Sequence, residues 1–573
     1  MSTAAAVVAL VVAGLTAVAV IVIGSLGVRV TRSTDDFLAA SRTVRSRANA
    51  AAIAGQSLSV ASFLGIAGIV LSEGVDGLWY PVGFVAGFLV LLLFVAAPLR
   101  RSGAYTVPDF AETRLDSAAL RTMTTVVVCV IGWLYLVPQL QASGLVLMVL
   151  TGAPGWVGVL VVGVVVTAAV TFGGMRSMTF VQAFGFWVKA VALAVPVVIL
   201  VGWFFGSGLA TQATQPTTPP TFDRPTSVAI HDAVTVQVTD PVTVRISGDG
   251  PTRTVTWAPG PLTVPAGSTL AFPAGARIPV VDTAVADPGA WDRPFGSGER
   301  DPLWVYSLLL ATCLGIAGLP HVLVRYYTNP DGRAARRTTV LVLALLGGFS
   351  VVPIVLGALA RLSAPQLLVG GEGDAAVLTL PSIALGGWPG VVLGGFVAAG
   401  IATTLLAVSA GLLLSVAGVL SSDVLPGRLG DFRIAAHVAG AVPIVLALVM
   451  TRLDFAQTIT LALAVAASTF APLLLLGIWW RGLTDRGALA GIAVGGVLSL
   501  GAAVATLFGV RLPGTVGILL AQPAVVSVPL AVLTMVLVSR ATASRVPARV
   551  GRTLLRLHAP ERLGLGEMRV GRG

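Results

Sequence analysis

Thirteen apolar runs divide this 573-residue chain, at 4–27, 48–72, 77–98, 122–151, 156–174, 179–206, 305–328, 338–361, 386–420, 434–452, 456–480, 487–509 and 515–539. A helix needs about 20 apolar residues to cross the hydrocarbon of a bilayer. So many such runs specify a bundle of membrane helices, an all-α polytopic membrane protein. Hydrophobic residues make up 56% of the chain and charged ones 11%, as that class requires. The formal charge of +11 is not a nucleic-acid surface, because the arginines sit in short connections where they set topology.

The first run has no basic residues before it, and Arg29, Arg32, Arg42, Arg45 and Arg47 follow it. It is therefore expected to be an anchor with its N-terminus outside, not a cleaved leader. Alternate connections then fall inside. Arg100, Arg101, Arg114 and Arg121 mark one, Arg176 another, Arg325, Arg333, Arg336 and Arg337 a third, and Arg481 and Arg486 a later one. The arginine-rich segment 540–573 is expected to be a cytoplasmic tail against anionic lipid. This pattern suits a cell-membrane protein. Cys129 and Cys313 both lie within apolar runs and suggest neither a disulfide framework nor a zinc site. Lys189 is the only lysine, and its surroundings, Phe-Trp-Val-Lys-Ala-Val, are no Walker A loop. Uphill work would have to draw on an ion gradient or a separate subunit, and no enzymatic activity is expected.

Residues 207–302 break the series with a stretch rich in Pro, Thr and Asp. Val234–Val238 and Val242–Ile246 alternate apolar and polar residues at strand period, and Gly248-Asp249-Gly250-Pro251 supplies a turn before Arg253–Trp257. A small extracellular β-rich insertion is expected, either decorative or able to bind a partner or capture substrate.

Two runs are poorly made for lipid. The run 48–72 has Gly55-Gln56-Ser57-Leu58-Ser59 at its centre, and unsatisfied polar groups in hydrocarbon cost several kcal/mol each. Five runs later, Gly318-Leu319-Pro320-His321 interrupts 305–328, where proline removes a donor and clashes with the preceding turn. If runs two to six and seven to eleven are two five-helix repeats, each begins with a broken helix, and the odd number of crossings makes the repeats inverted. Solute and coupling ion then bind between half-helices near the midplane.

The chain resembles the sodium/solute symporter family, most closely its cation/acetate (monocarboxylate) branch, over roughly 30–480 apart from 207–302. The resemblance rests on Asp35-Asp36-Phe37, the segment 54–65, Gly77-Leu78-Trp79-Tyr80, Tyr105–Phe110, Gly173-Gly174-Met175, Thr179-Phe180-Val181-Gln182, the segment 318–328 and the segment 402–423. It implies a LeuT-like fold, a 5+5 inverted repeat with about thirteen transmembrane helices, and alternating access driven by a sodium or proton gradient. The expected organisation is an accessory helix (1–27), core repeats at 48–206 and 303–480 flanking the 207–302 insertion, two further helices (481–539) and the tail (540–573).

By resemblance, a sodium site combines backbone oxygens of Gly55 and Leu58, with Ser59 adjacent, and oxygens of the ninth run. Counting back from Asp423 without a gap puts Ala407 and Val408 at the family's hydroxyl pair. A shift of one turn puts Thr403 and Thr404 there, with Ser409 the nearest other hydroxyl. Threonines in membrane helices also back-bond to the preceding turn, which is the alternative role for that pair. Many members of the family carry an aspartate where this chain has Thr179. Lys189 lies about 15 Å further along that helix at 1.5 Å per residue. Three roles are open to it: a titrating ammonium in place of sodium, a partner for a substrate carboxylate, or an interfacial lysine that snorkels. No cofactor is expected beyond the coupling cation, Na+ or H+.

The predicted solute pocket is Gln56, Ser57, Phe63, Tyr135, Gln139, Pro320 and His321. Tyr135 and Gln139 are four apart and share a helix face. Polar residues here can equally serve helix packing, and His321 can cap a half-helix. No Asp or Glu lies within the core runs, Glu73 standing at an outer end, and half-helix N-termini favour anions. A short carboxylate such as acetate, propionate or pyruvate fits. The competing class is a membrane sensor built on the same fold. A sensor needs a signalling domain, for which a tail of this length is short, and the 207–302 insertion is the feature in its favour.

Overall fold

The computed structural model describes residues 3–28, 44–172, 175–207, 221–222, 224–230, 233–248, 251–281, 284–285, 288–295, 302–371, 373–424, 429–450, 455–510 and 512–560. Arg29, Arg32, Arg42, Asp35–Phe37, Gly173, Gly174, the turn residues Asp249 and Gly250, and the tail beyond 560 lie outside the described residues.

The chain runs α1 (Thr3–Val28), α2 (Ser46–Ser57), α3 (Leu64–Glu73), α4 (Trp79–Val90) and α5 (Ala96–Arg101), with a π-helical turn joining the last two. Next come α6 (Val107–Leu115), α7 (Ala118–Thr151), α8 (Gly155–Phe172) and α9 (Met175–Gly206). After the insertion, which ends in a short helix α10 (Pro288–Trp291), follow α11 (Pro302–Gly318), α12 (Pro320–Tyr327) and α13 (Gly332–Ser363). The remainder is α14 (Leu367–Gly370), α15 (Ala376–Leu385), α16 (Gly387–Asp423), α17 (Leu429–Val449), α18 (Phe455–Trp479), α19 (Asp485–Leu507), α20 (Gly514–Ala521), α21 (Ala524–Ala541) and α22 (Val550–His558). Among the described residues, 11 helices are long and apolar enough to cross a membrane. One of them, Leu64–Arg101, carries the outer half of the second run and all of the third, and the shorter apolar helix Gly155–Thr171 is the fifth. The total of about thirteen is reached in that way.

Contacts within the first repeat recur in the second. α9 packs on α2 as α18 packs on α11, α7 on α8 as α16 on α17, and α4 meets α11 as α13 meets α2 and α3. Close approach needs glycine at matching places. A Cβ at Gly55 would lie 2.1 Å from the Gln182 carbonyl oxygen on α9, and one at Gly318 2.8 Å from the Ala466 carbonyl oxygen on α18.

The insertion folds as two antiparallel sheets. Its strands are β1 (Thr226–Ala229), β2 (Val234–Val238), β3 (Val242–Ser247), β4 (Arg253–Trp257), β5 (Gly260–Val264), β6 (Thr269–Phe272) and β7 (Val280–Val281). The sheet orders are β1-β6-β3-β4 and β5-β2-β7. The alternation in β2 and β3 buries Val236, Val238, Val242 and Val244 with Trp257 and Phe272. The insertion is tied to the bundle at the end of α3: Trp291 Nε1 donates to the Val70 carbonyl at 2.9 Å, the Val285 amide to the Ser72 carbonyl at 2.9 Å, and Arg361 Nη2 to the Val285 carbonyl at 2.6 Å. This end is called the insertion end below, and the end bearing α22 the tail end.

Several arginines read as loop markers have structural work as well. Arg114 is buried and donates to the carbonyls of Gly477 at 2.7 Å and Trp480 at 3.0 Å. Arg121 pairs with Asp423 at 2.7 Å and Asp109 at 3.0 Å, fastening the tail ends of α6, α7 and α16. Arg325 is a correction: it is 1% exposed inside α12 and marks no loop.

Candidate functional site

Helix α2 ends at Ser57 because the backbone turns out of the helical path. The Ser59 amide donates to the Ser57 carbonyl at 2.9 Å and the Ser62 amide to the Ser59 carbonyl at 3.0 Å. In an unbroken helix those two amides would serve Gly55 and Leu58, so the carbonyls of Gly55 and Leu58 are left open. Lys189 fills them. Its Nζ donates to both, at 3.0 Å to Leu58, and the side chain is fully buried. The ammonium thus occupies the oxygens expected for a cation, and the snorkelling role does not hold.

The expected threonine ligands on α16 give their protons to the preceding turn, which leaves their oxygen lone pairs available to a cation. Thr403 Oγ1 donates to the Ala399 carbonyl and Thr404 Oγ1 to the Gly400 carbonyl, each at 2.8 Å. Ser409 is buried, and its Oγ has no partner. Ala407, one of the ungapped alternatives, offers its carbonyl to Gln182 Nε2 at 3.3 Å.

The predicted solute residues divide among three places. Ser57 opens into a cleft of about 370 Å³ with Ser62, Phe84, Phe88 and Phe349, on the α4 and α13 side of the break. Pro320 lines a tail-end cleft of about 490 Å³ with Tyr105, Val324, Leu414, Ser415 and Phe432. Between the two breaks lie Gln56, Tyr135, Gln139 and His321, all buried. Tyr135 meets His321 edge-on at 5.1 Å between ring centres, and its hydroxyl faces Ser59. Gln139 Oε1 accepts from the Val60 amide at 3.3 Å, while Gln56 Nε2 donates to the His321 carbonyl at 3.4 Å. Phe63 is buried where α3 begins. His321 Nε2 and Gln139 Nε2 have no hydrogen-bond partner. Buried polar atoms in that state are uncommon, and each calls for an explanation such as an absent ligand.

Sequence reasoning assigned no site role to Gln182 and read Arg325 only as a marker of a connection. Both were signalled by spacing: Gln182 stands two turns before Lys189 on α9, and Arg325 one turn after His321 on α12. Gly411 of α16 completes the enclosure, since a Cβ there would lie 2.2 Å from Gln182 Nε2 and 2.9 Å from Gln56 Nε2.

Two broken helices from inverted five-helix repeats, facing each other around a buried polar site, define a carrier of the LeuT type. The model of the sodium:solute symporter family matches residues 37–244 and 277–495, and the chain belongs to that family. It is 30% identical over 542 residues to a protein of Corynebacterium glutamicum named monocarboxylic acid transporter, covering 89% of this chain and 88% of that protein. In fold it is similar to a Na+-coupled sialic acid symporter in a substrate-bound outward-open state, at a TM-score of 0.65 and 13% identity over 93% of this chain and 97% of that one. A nucleobase-cation-symport-1 family transporter, closed with bromovinylhydantoin bound, matches at a TM-score of 0.52 and 14% identity over 92% and 99%.

Proposed function

We propose that this protein takes up a small monocarboxylate together with a cation by alternating access, and that the cation is a proton carried by Lys189. The observation that carries the reading is the Lys189 ammonium on the Gly55 and Leu58 carbonyls. Protonated, the lysine holds α9 to the break of the first helix. Deprotonated, it keeps too little charge to hold them, and the break is free to move against α9. Proton binding and release thereby become linked to the geometry of the broken helix. The solute class is supported by the name of the Corynebacterium relative. It is also supported by the unpartnered Gln139 Nε2 and His321 Nε2, which can donate to a carboxylate beside the α12 N-terminus.

A sodium-coupled reading is favoured by one observation, the free hydroxyl of Ser409. In it, Na+ displaces the amine from Gly55 and Leu58, with Ser59, Thr403 and Thr404 nearby. The arginine distribution supports a cell-membrane protein with its N-terminus outside and its C-terminus in the cytoplasm. The test is uptake of labelled pyruvate, acetate and propionate into proteoliposomes, with proton and sodium gradients imposed separately. Concentrative uptake under the proton gradient alone is expected. Uptake only under sodium overturns the lysine reading, and uptake of none of the three under either gradient overturns symport and favours a sensor.

A further inference from the structure

Arg325 is a buried cation for which the described residues supply no counter-charge. Its Nε donates to Gln56 Oε1 at 3.3 Å, Nη1 to Thr179 Oγ1 at 2.7 Å, and Nη2 to Gln182 Oε1. All three acceptors are neutral, and among the described residues no Asp or Glu pairs with Arg325. Lys189, whose two partners flank Gln56 on the same helix break, is likewise held only by neutral oxygens. Two fully buried cations thus stand close together with no carboxylate between them. Burying an ion is costly unless a partner of opposite charge accompanies it, and guanidinium and carboxylate pair bidentately, far more strongly than guanidinium and amide. This arrangement is made for a missing anion.

Its place in the fold says when the anion would arrive. Arg325 follows His321 by four residues and shares its face of α12, one turn nearer the tail end. The neighbouring residue Val324 and Pro320 line the tail-end cleft. Arg325 therefore adjoins the buried central site and stands next in sequence to the lining of that cleft. Both glutamine acceptors are anchored independently of the guanidinium, Gln56 Nε2 donating to the His321 carbonyl and Gln182 Nε2 to the Ala407 carbonyl.

We infer that Arg325 is an anion relay. The substrate carboxylate leaves Gln139 and His321, pairs with the Arg325 guanidinium in place of the Gln56 and Gln182 oxygens, and departs through the tail-end cleft. This rests on the monocarboxylate reading above and adds the residue that hands the anion on. The same residue discriminates against neutral solutes, which cannot compensate its charge.

The test places a tethered rival beside the guanidinium. Thr179→Asp puts a carboxylate within reach of Nη1, and Thr179→Asn is the uncharged control of equal size. Purified full-length wild type and both variants are compared for pyruvate binding by thermal shift and for pyruvate exchange, which needs no ion gradient. T179D is expected to be the most heat-stable of the three without ligand, and to raise the exchange KM about tenfold over T179N, a loss of about 1.4 kcal/mol of binding. Arg325→Lys, which keeps the charge but not the fork, is expected to raise KM in the same direction. If T179D fails to fold, R325K decides alone. Wild-type exchange with KM unchanged in the folded variants overturns the relay and leaves the monocarboxylate reading standing. A wild type that neither binds nor exchanges pyruvate overturns both.

Discussion

Lys189→Met separates the coupling role proposed for the lysine from its packing role. Methionine keeps much of the volume and removes the ammonium. The Gly55 and Leu58 carbonyls then lose their donor, at about 1–3 kcal/mol for each buried group left unpaired, or about 2–6 kcal/mol together. Against this stands the desolvation of a buried ammonium held by neutral oxygens alone, a penalty of several kcal/mol that methionine does not incur. The two effects oppose each other at similar size. K189M is therefore expected to fold, with stability within about 2 kcal/mol of wild type, and to lose coupling specifically.

The coupling loss has a definite size. One pH unit supplies about 1.4 kcal/mol per proton, so one-to-one symport of a proton with a monocarboxylate holds about a tenfold excess inside per unit, and about a hundredfold at two units. K189M has no proton to carry and is expected to equilibrate pyruvate to a ratio of about one while still exchanging it between preloaded vesicles. Pyruvate is the better probe than acetate, because the neutral form of a weak acid crosses lipid unaided and follows the same gradient. Protein-free vesicles give the baseline. Accumulation by K189M equal to that of wild type under the proton gradient would refute the assignment. Sodium-driven uptake equal in both would make the lysine structural.

Three further perturbations test the site and its supports. Gly55→Ala drives a methyl to 2.1 Å from the Gln182 carbonyl oxygen; α2 and α9 must part, so a stability loss of about 1–3 kcal/mol and a collapse of uptake are expected, and wild-type uptake would show that this approach is dispensable. Tyr135→Phe removes the hydroxyl that faces Ser59. A loss of about 1 kcal/mol, seen as a severalfold weaker pyruvate Kd with an unchanged melting temperature, is expected, and an unchanged Kd would place that hydroxyl outside the binding cycle. Trp291→Ala cuts the bond to the Val70 carbonyl; slower uptake and faster proteolysis of the insertion are expected, whereas unchanged uptake would return the insertion to decoration.

The fold was legible because its determinants are local. Apolar length gives the spans, and the polar segment 55–59 and the Gly318–Pro320 step mark where each broken helix stops, so both breaks and their five-span offset could be read directly. The strand alternation of Val234–Val238 and Val242–Ile246 survived as β2 and β3. What stayed hidden was partnership across the chain. Lys189 was conspicuous as a lone lysine, yet the identity of its acceptors depends on how α9 lies against α2. Arg325 was misread for the same reason: charge at the end of an apolar run suggests a loop, and only packing shows that Gln56, Thr179 and Gln182 enclose it. The loss of local meaning is greatest for Ser57, whose side chain turns into a cleft away from Tyr135 and Gln139 although its neighbour Gln56 does not.

The two helices that would share a cation site depart from a sodium-binding pattern together. On α9, an ammonium takes the Gly55 and Leu58 carbonyls. On α16, facing it through the approach of Gly185 to Thr403 and Ala407, the ungapped hydroxyl positions hold Ala407 and Val408, and only the shifted pair, back-bonded to the preceding turn, keeps hydroxyl oxygens. Either change alone would weaken sodium binding, because the ion would lose hard oxygen ligands or meet a positive neighbour. Made together they are mutually permissive. An ammonium held by two carbonyls draws on fewer oxygens from α16 than a sodium ion would. An uncompensated ammonium in that setting gains most from a nearby carboxylate, the charge the solute brings. Under the proton-coupled function proposed above, anion and proton raise each other's affinity by the same factor, and neither has reason to cross alone.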